Sequence, residues 1–315
     1  MPKQVRIPIS KAVEERSRYI DFKTDFAFRH LFAKESHLDL LKDFLNAVFK
    51  GRKVIEAVKL GKTDHKGNRK IDRRTVFDIY CISNKGERFV VEMQQGNRKF
   101  FKDRILYYTA NLVQEQGKSV DANWNYELPE VYFIAIIDFR LEDIEGNHYI
   151  HDVRLMDVNT NRQFYDKLGY IFVELPGFNK SEDQLITSED NWLFCLKHMS
   201  NLKEIPLPLS NSDVFKKLFK IAEISSLNQK DMNAYQANLK IKRDNYSLME
   251  TVKETSLKIG IEKGIQQGLF EGRAEERTKV LKERKELAIE MKRDNEPIAK
   301  IIKYTKLSIE EIELL

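Results

Sequence analysis

Two short apolar runs, Val76-Phe77-Asp78-Ile79-Tyr80-Cys81 and Phe89-Val90-Val91-Glu92-Met93-Gln94, stand on either side of Asn84-Lys85-Gly86 and constrain this chain more than any other feature. β-Branched and aromatic residues around a glycine-containing turn predict two antiparallel strands joined as a hairpin. Each run carries one carboxylate, Asp78 or Glu92, where the pattern wants an apolar side chain. Burying an ionised carboxylate without a partner is costly, so a cation accounts economically for two of them. Oxygen-only donors select a hard ion, magnesium (Mg2+) with manganese (Mn2+) as a substitute. The alternatives are that Asp78 pairs with Arg73, Arg74 or Arg104 inside the fold, and that Glu92 ends its strand facing water.

Charge around this hairpin is uneven. Lys50, Arg52, Lys53, Lys59, Lys62, Lys66, Arg69, Lys70, Arg73 and Arg74 precede it, against only Glu56, Asp64 and Asp72, although the whole chain carries a net charge of only +5. Arg98, Lys99, Lys102 and Arg104 follow Glu92 directly. Such a stretch alone reads equally well as a solvated loop. Its place around two carboxylates favours contact with a phosphodiester.

A chain of 315 residues, 42% of them hydrophobic, can bury one sizeable core and add something smaller. The longest apolar run, Val131 to Ile137, is far too short to span a bilayer, and Met1-Pro2-Lys3-Gln4 lacks the apolar core of a signal peptide. Only Cys81 and Cys195 are present, with no CxxC pair, which fits a reducing cytoplasm.

Along the chain, Thr24 is expected to cap a helix bearing Phe26, Leu31 and Phe32. Ser36-x-x-Asp39 forms a capping box for its continuation, closed by Gly51. Val54 to Leu60 reads as a first strand, Lys99 to Gln116 as a helix, and Val131 to Ile137 as a strand buried on both faces. The resulting order, helix, three strands, helix, strand, is an α/β layered arrangement. His151 to Val158 and Tyr170 to Leu175 suggest two more strands, and Glu182 to Met199 a helix. Pro206 and Pro208 suggest a boundary, giving domains 1–208 and 209–315, the second all-helical. Within it, Gly260, Gly264, Gly268 and Gly272 recur every fourth residue, which reads either as a frayed linker or as a groove for close helix packing. Ser308-x-x-Glu311 caps the last of two short terminal helices.

The Asp78…Glu92-x-Gln94 hairpin in this order of elements resembles the PD-(D/E)XK nuclease superfamily, and more narrowly its recombination-promoting nuclease, transposase-like family. Asp25-Phe26-Ala27-Phe28-Arg29-His30-Leu31-Phe32, Arg104-Ile105-Leu106-Tyr107-Tyr108, Glu174-Leu175-Pro176-Gly177-Phe178 and the glycine ladder fit the same family in the same order. The resemblance implies a restriction-endonuclease-like core. Asp78 and Glu92 would be metal ligands, joined by the Met93 carbonyl, and Gln94 would be catalytic where the superfamily usually has lysine. Lys99, Arg104, Arg73 and Arg74 would contact substrate. It further implies a metal-dependent DNA endonuclease linked to recombination or mobile elements, joined as a homodimer through its C-terminal helices. The missing lysine keeps a second reading open, a catalytically idle DNA-binding or assembly module of the same fold.

Overall fold

The computed structural model describes residues 17–65, 75–117, 125–141 and 148–315. It opens with two helices, α1 (Asp25–Phe32) and α2 (Leu38–Phe49), each turning an apolar face inward. Thr24 caps α1 as expected, its side chain accepting the Ala27 N–H at 3.3 Å. The capping box at Ser36 does not form. A single 3-10 turn, Glu35–His37, precedes α2, and Asp39 pairs with Lys217 instead. The helix ends at Lys50, which takes the left-handed conformation with Gly51 after it.

Seven of the eight strands follow in the order β1 (Val58–Leu60), β2 (Asp64–His65), β3 (Thr75–Val76), β4 (Ile79–Ser83), β5 (Arg88–Gln94), β6 (Val131–Ile137) and β7 (Ile150–Met156). The eighth is β8 (Gln163–Glu174), and α3 (Phe101–Gln116) lies between β5 and β6. Six strands form one sheet in the order β1-β4-β5-β6-β8-β7, and β2 pairs separately with β3. β4 and β5 run antiparallel, while β5–β6 and β6–β8 are parallel. The architecture is a mixed α/β domain built on a six-stranded sheet, consistent with the nuclease-like domain expected.

Several elements depart from expectation for local reasons. The first strand starts at Val58, not Val54, because the Asn46 side-chain amide takes both backbone groups of Ile55, accepting its N–H at 2.8 Å and donating to its carbonyl at 2.9 Å. β8 begins seven residues before Tyr170 as an exposed ribbon with β7, whose polar sequence carries little alternation. The helix expected over 182–199 divides because Ser181 and Thr187 each supply a capping box, giving a 3-10 turn and then α4 (Ser188–His198).

Both faces of the sheet are covered. Ile79, Cys81, Val91, Met93, Ile134 and Val173 face one core with α1, α2, α4 and the later helix α5 (Asp213–Ala222). Val90, Phe133, Ala135 and Phe172 face the other, against Phe101, Ile105 and Leu112 of α3. β6 is buried at every position, as its unbroken apolar run requires.

The chain divides into two compact units, residues 1–242 and 243–315. The expected boundary at 208 falls inside the first, since Phe215, Leu218, Phe219, Ala222 and Tyr235 all belong to its core. The long helix α6 (Gln229–Arg293) begins there and clasps α1. Asn238 accepts the Phe26 N–H at 3.1 Å, the Tyr235 hydroxyl accepts the Asp21 N–H at 2.9 Å, and Lys242 pairs with Asp21. In the second unit, Ala288 of α6 packs with Ile301 of α7 (Ile298–Thr305) and with Leu307 and Ile312, the latter on α8 (Ile309–Glu313). The Ser308–Glu311 capping box is present. Gly260, Gly264, Gly268 and Gly272 lie on α6, and a Cβ at any of them would meet nothing within 4 Å. No described helix is long and apolar enough to cross a membrane.

Candidate active site

Asp78 does not lie inside a strand. Val76 belongs to the short β2–β3 arm, and Phe77 donates its N–H to the Thr63 carbonyl at 2.9 Å, so the chain bends before β4 starts at Ile79. Extending the Ile79–Val91 pairing by one residue sets Asp78 opposite Glu92. The hairpin therefore puts the two carboxylates side by side, through a register fixed by the Asn84–Gly86 turn. Gly86 takes a φ of +85° there.

The Asp78 side chain is 15% exposed and engaged at both oxygens. Oδ1 accepts from Arg29 Nη2 at 2.9 Å, and Oδ2 accepts the Met93 N–H at 3.1 Å. Arg29 comes from α1, so among the described residues Asp78 pairs with Arg29 and not with Arg104, while Arg73 and Arg74 lie outside the described residues. Glu92 accepts a hydrogen bond from the Asp78 backbone. Burial first, and the Asp78 charge second, push its carboxyl up to about 8, against the opposing pull of Arg104 and Arg29. A buried carboxyl raised by a second carboxylate beside it is poised to accept a cation.

Gln94 stands two residues on, on the same sheet face as Glu92, and is buried. Both ends of its amide are engaged. The oxygen accepts from Arg104 Nη2, and the nitrogen donates to the Gln95 carbonyl at 2.9 Å and the Gly96 carbonyl at 3.4 Å. Arg104, on α3, lies with its guanidinium 5.8 Å from the Phe101 ring centre and 5.9 Å from that of Tyr108, and its Nε is buried without a hydrogen bond. Tyr108 has its hydroxyl pKa raised by burial and then by Glu92. At the N-terminus of α1, burial and then Asp78 raise Asp25, while Arg29 and Arg98 pull it down. The site thus forms where the α1 and α3 layers meet the end of one hairpin. Among the described residues no group of three or more His, Cys, Asp or Glu is arranged to hold a metal.

The basic stretches fare unequally. Lys50 pairs with Glu189 at 2.9 Å, Arg52 with Asp152, and Lys53 with Glu87 and Glu130, so these three bind the fold together. Arg73 and Arg74 lie outside the described residues. Lys99 is exposed, its ammonium 5.0 Å from the centre of the Phe100 ring, and makes no direct contact with the carboxylates. Sequence reasoning did not single out Arg29. Its signal was Asp25-x-x-x-Arg29, one turn apart on α1.

Glu174, in the Glu-Leu-Pro-Gly-Phe segment, builds a separate structural cluster. It is paired with Arg140 at 2.8 Å and His151 at 3.2 Å, and accepts the Leu141 N–H at 2.9 Å. A Cβ at Gly177 would crowd the Arg140 guanidinium and come within 2.9 Å of the Tyr149 Cβ, so the position is tight for any larger residue.

A family model described as PD-(D/E)XK nuclease family transposase matches residues 22–252. No curated protein and no solved structure matches the chain.

Proposed function

Because this chain belongs to the PD-(D/E)XK nuclease family transposases, we propose that it is a divalent-metal-dependent endonuclease hydrolysing phosphodiester bonds in DNA. The family gives a nuclease or transposase-related role. The observation that carries the finer reading is the juxtaposition of Asp78 and Glu92 across the β4–β5 hairpin, with the Glu92 carboxyl pushed up to about 8 by burial and then by its neighbour.

That pair fits a hard cation: its donors are all oxygen, and a positive charge would relieve the repulsion between them. Magnesium or manganese held by Asp78 and Glu92 would supply an activated water and neutralise charge on the scissile phosphate. The chain's own residues supply the rest. Arg29 and Arg104 flank the carboxylates from α1 and α3 and can stabilise the charge that develops on the phosphate. Gln94, with its amide engaged, is a positioning residue that holds Arg104. Arg98 and Lys99 are exposed next to the site and available to the DNA backbone. A link to recombination or mobile elements follows from the family.

The test is cleavage of supercoiled plasmid by the purified full-length protein with magnesium, calcium or chelator. Nicking is expected with magnesium alone, and loss of nicking in Asp78→Ala with its circular dichroism preserved. Undiminished cleavage by that variant would refute the assignment.

One observation favours the second reading, an idle nuclease-fold module that binds DNA. Asp78 is already ion-paired with Arg29, and the superfamily's usual lysine is replaced by a glutamine held by its neighbours. Calorimetry with manganese separates the two readings. Heat in wild type that disappears in Glu92→Ala supports the enzyme, and no heat in either supports the idle module.

A further inference from the structure

The link from β5 to α3, Gly96 to Phe100, holds an oddity next to the carboxylate pair. Phe100 takes φ +62° and ψ +30°, the left-handed region that an aromatic residue rarely enters. Packing does not explain the strain. Phe100 is 66% exposed, whereas Phe101 beside it is 6% exposed and anchors α3 to the sheet. The backbone fixes the turn: the Phe100 carbonyl accepts the Arg104 N–H at 3.0 Å, and the Phe101 N–H donates to the Arg98 carbonyl at 3.1 Å. The first bonds of the helix thus hold an apolar ring out into solvent.

The ring's surroundings are cationic. Arg98, Lys99 and Lys102, within two residues of it in sequence, are exposed, with Asp103 the one acid in that stretch. Lys99 brings its ammonium to 5.0 Å from the ring centre. A single exposed hydrophobic residue needs no explanation. An aromatic one in a strained conformation, with a lysine over its ring and one turn from an arginine of the site, does. Arg98 and Asp78 both act on Asp25, so the loop adjoins the carboxylates. Every nucleobase offers a π-face for stacking, and the phosphates beside it match the basic side chains.

We propose that Phe100 is a stacking platform for an unpaired base of the DNA substrate, with Arg98 and Lys99 holding the adjoining phosphates. This rests on the DNA-nuclease reading and narrows its substrate to DNA that is single-stranded or locally distorted. The cations favour a polyanion over an apolar protein segment as the occupant.

The experiment compares the full-length wild type with Phe100→Ala, Phe100→Trp and Lys99→Ala. Each is titrated with a fluorescent single-stranded oligonucleotide and with the matching duplex, in calcium. Phe100→Ala is expected to lose about ten-fold in single-strand affinity, with little change for duplex. Phe100→Trp should keep that affinity, and its fluorescence should be quenched on binding. Lys99→Ala should weaken both DNAs alike. Melting temperatures show that the variants fold, and Phe100→Gly should melt at or above wild type because it relieves the left-handed strain. If Phe100→Ala binds both DNAs as wild type does, or loses both equally, the platform is overturned while the nuclease reading stands. A wild type that neither binds nor cuts any DNA overturns both.

Discussion

The Arg29 guanidinium meets Asp78 at 2.9 Å from a helix that precedes it by 49 residues. This pair joins the α1 layer to the hairpin that carries both carboxylates. Arg29 is nearly half exposed, so its contribution to stability is expected to be small, under about 1 kcal/mol. Its expected contribution is electrostatic, towards a bound phosphate. Arg29→Ala should therefore melt within a few degrees of wild type while cleaving plasmid about a hundred-fold more slowly. A variant that cleaves normally would remove Arg29 from the site.

Gln94 sits where the superfamily's lysine is expected, yet its amide oxygen accepts from Arg104. A lysine there would face the guanidinium, and two cations in a buried pocket repel. Restoring the family's usual residue by Gln94→Lys is therefore expected to reduce both activity and melting temperature. The double variant Gln94→Lys, Arg104→Gln should recover part of each. Higher activity in the single variant would show that Gln94 is a loss and not a partner of Arg104.

Glu92 gives a pH dependence whose sign is fixed. In the unfolded chain a glutamate loses its proton near the ordinary value of about 4.3, whereas in the fold Glu92 keeps it up to about 8. Between those values the folded state binds the proton more tightly. Its contribution to stability is full below the lower value and is lost as pH rises through the upper one. In chelator, Glu92→Gln should flatten this decline and melt above wild type at about pH 9, by roughly 1–3 kcal/mol. Identical melting curves at about pH 5 and about pH 9 for both proteins would contradict it. The same substitution should abolish metal-dependent heat, so the group that destabilises the fold is the one expected to serve function.

A second copy of the chain is the partner expected for the glycine ladder. Gly264 and Gly268 have open space where a Cβ would stand, and Ile261, Ile265 and Leu269 beside them are exposed on α6. Replacing both glycines with leucine is expected to lower the mass measured by light scattering. A wild type that stays monomeric at high micromolar concentration rules the dimer out.

Much of the sheet was legible in local pattern. An apolar, β-branched and aromatic run beside a turn gave β5, an unbroken apolar run gave β6, and helical spacing gave α3. The carboxylate pair was visible for the same reason, since both residues interrupt an apolar pattern. What local pattern missed depends on partners distant in sequence, side chains and, at Thr63, a backbone carbonyl. Asn46 shortens β1 by taking the backbone of Ile55, and Thr63 ends the run before Asp78. Arg29 lacks any sequence proximity to Asp78, and Gln94 gives no sign in sequence that Arg104 will occupy its amide. The boundary at 208 misled because two prolines punctuate a connection whose following helix, α5, still buries Phe215 and Phe219 in the same core.

The clasp of α6 on α1 also sets an order in time. Asp78 and Met93 are fifteen residues apart, a local contact that a chain can make soon after the hairpin leaves the ribosome. Phe26 and Asn238 are 212 apart, and the hydrogen bond between them steadies the helix that carries Arg29. A nascent chain is therefore expected to hold its acid pair while a long stretch of its sequence is still being made, before the opposing arginine is fixed. The candidate site is expected to be complete only after synthesis has passed Lys242, so chains released early by a stalled ribosome should bear the carboxylates and lack the assembled site.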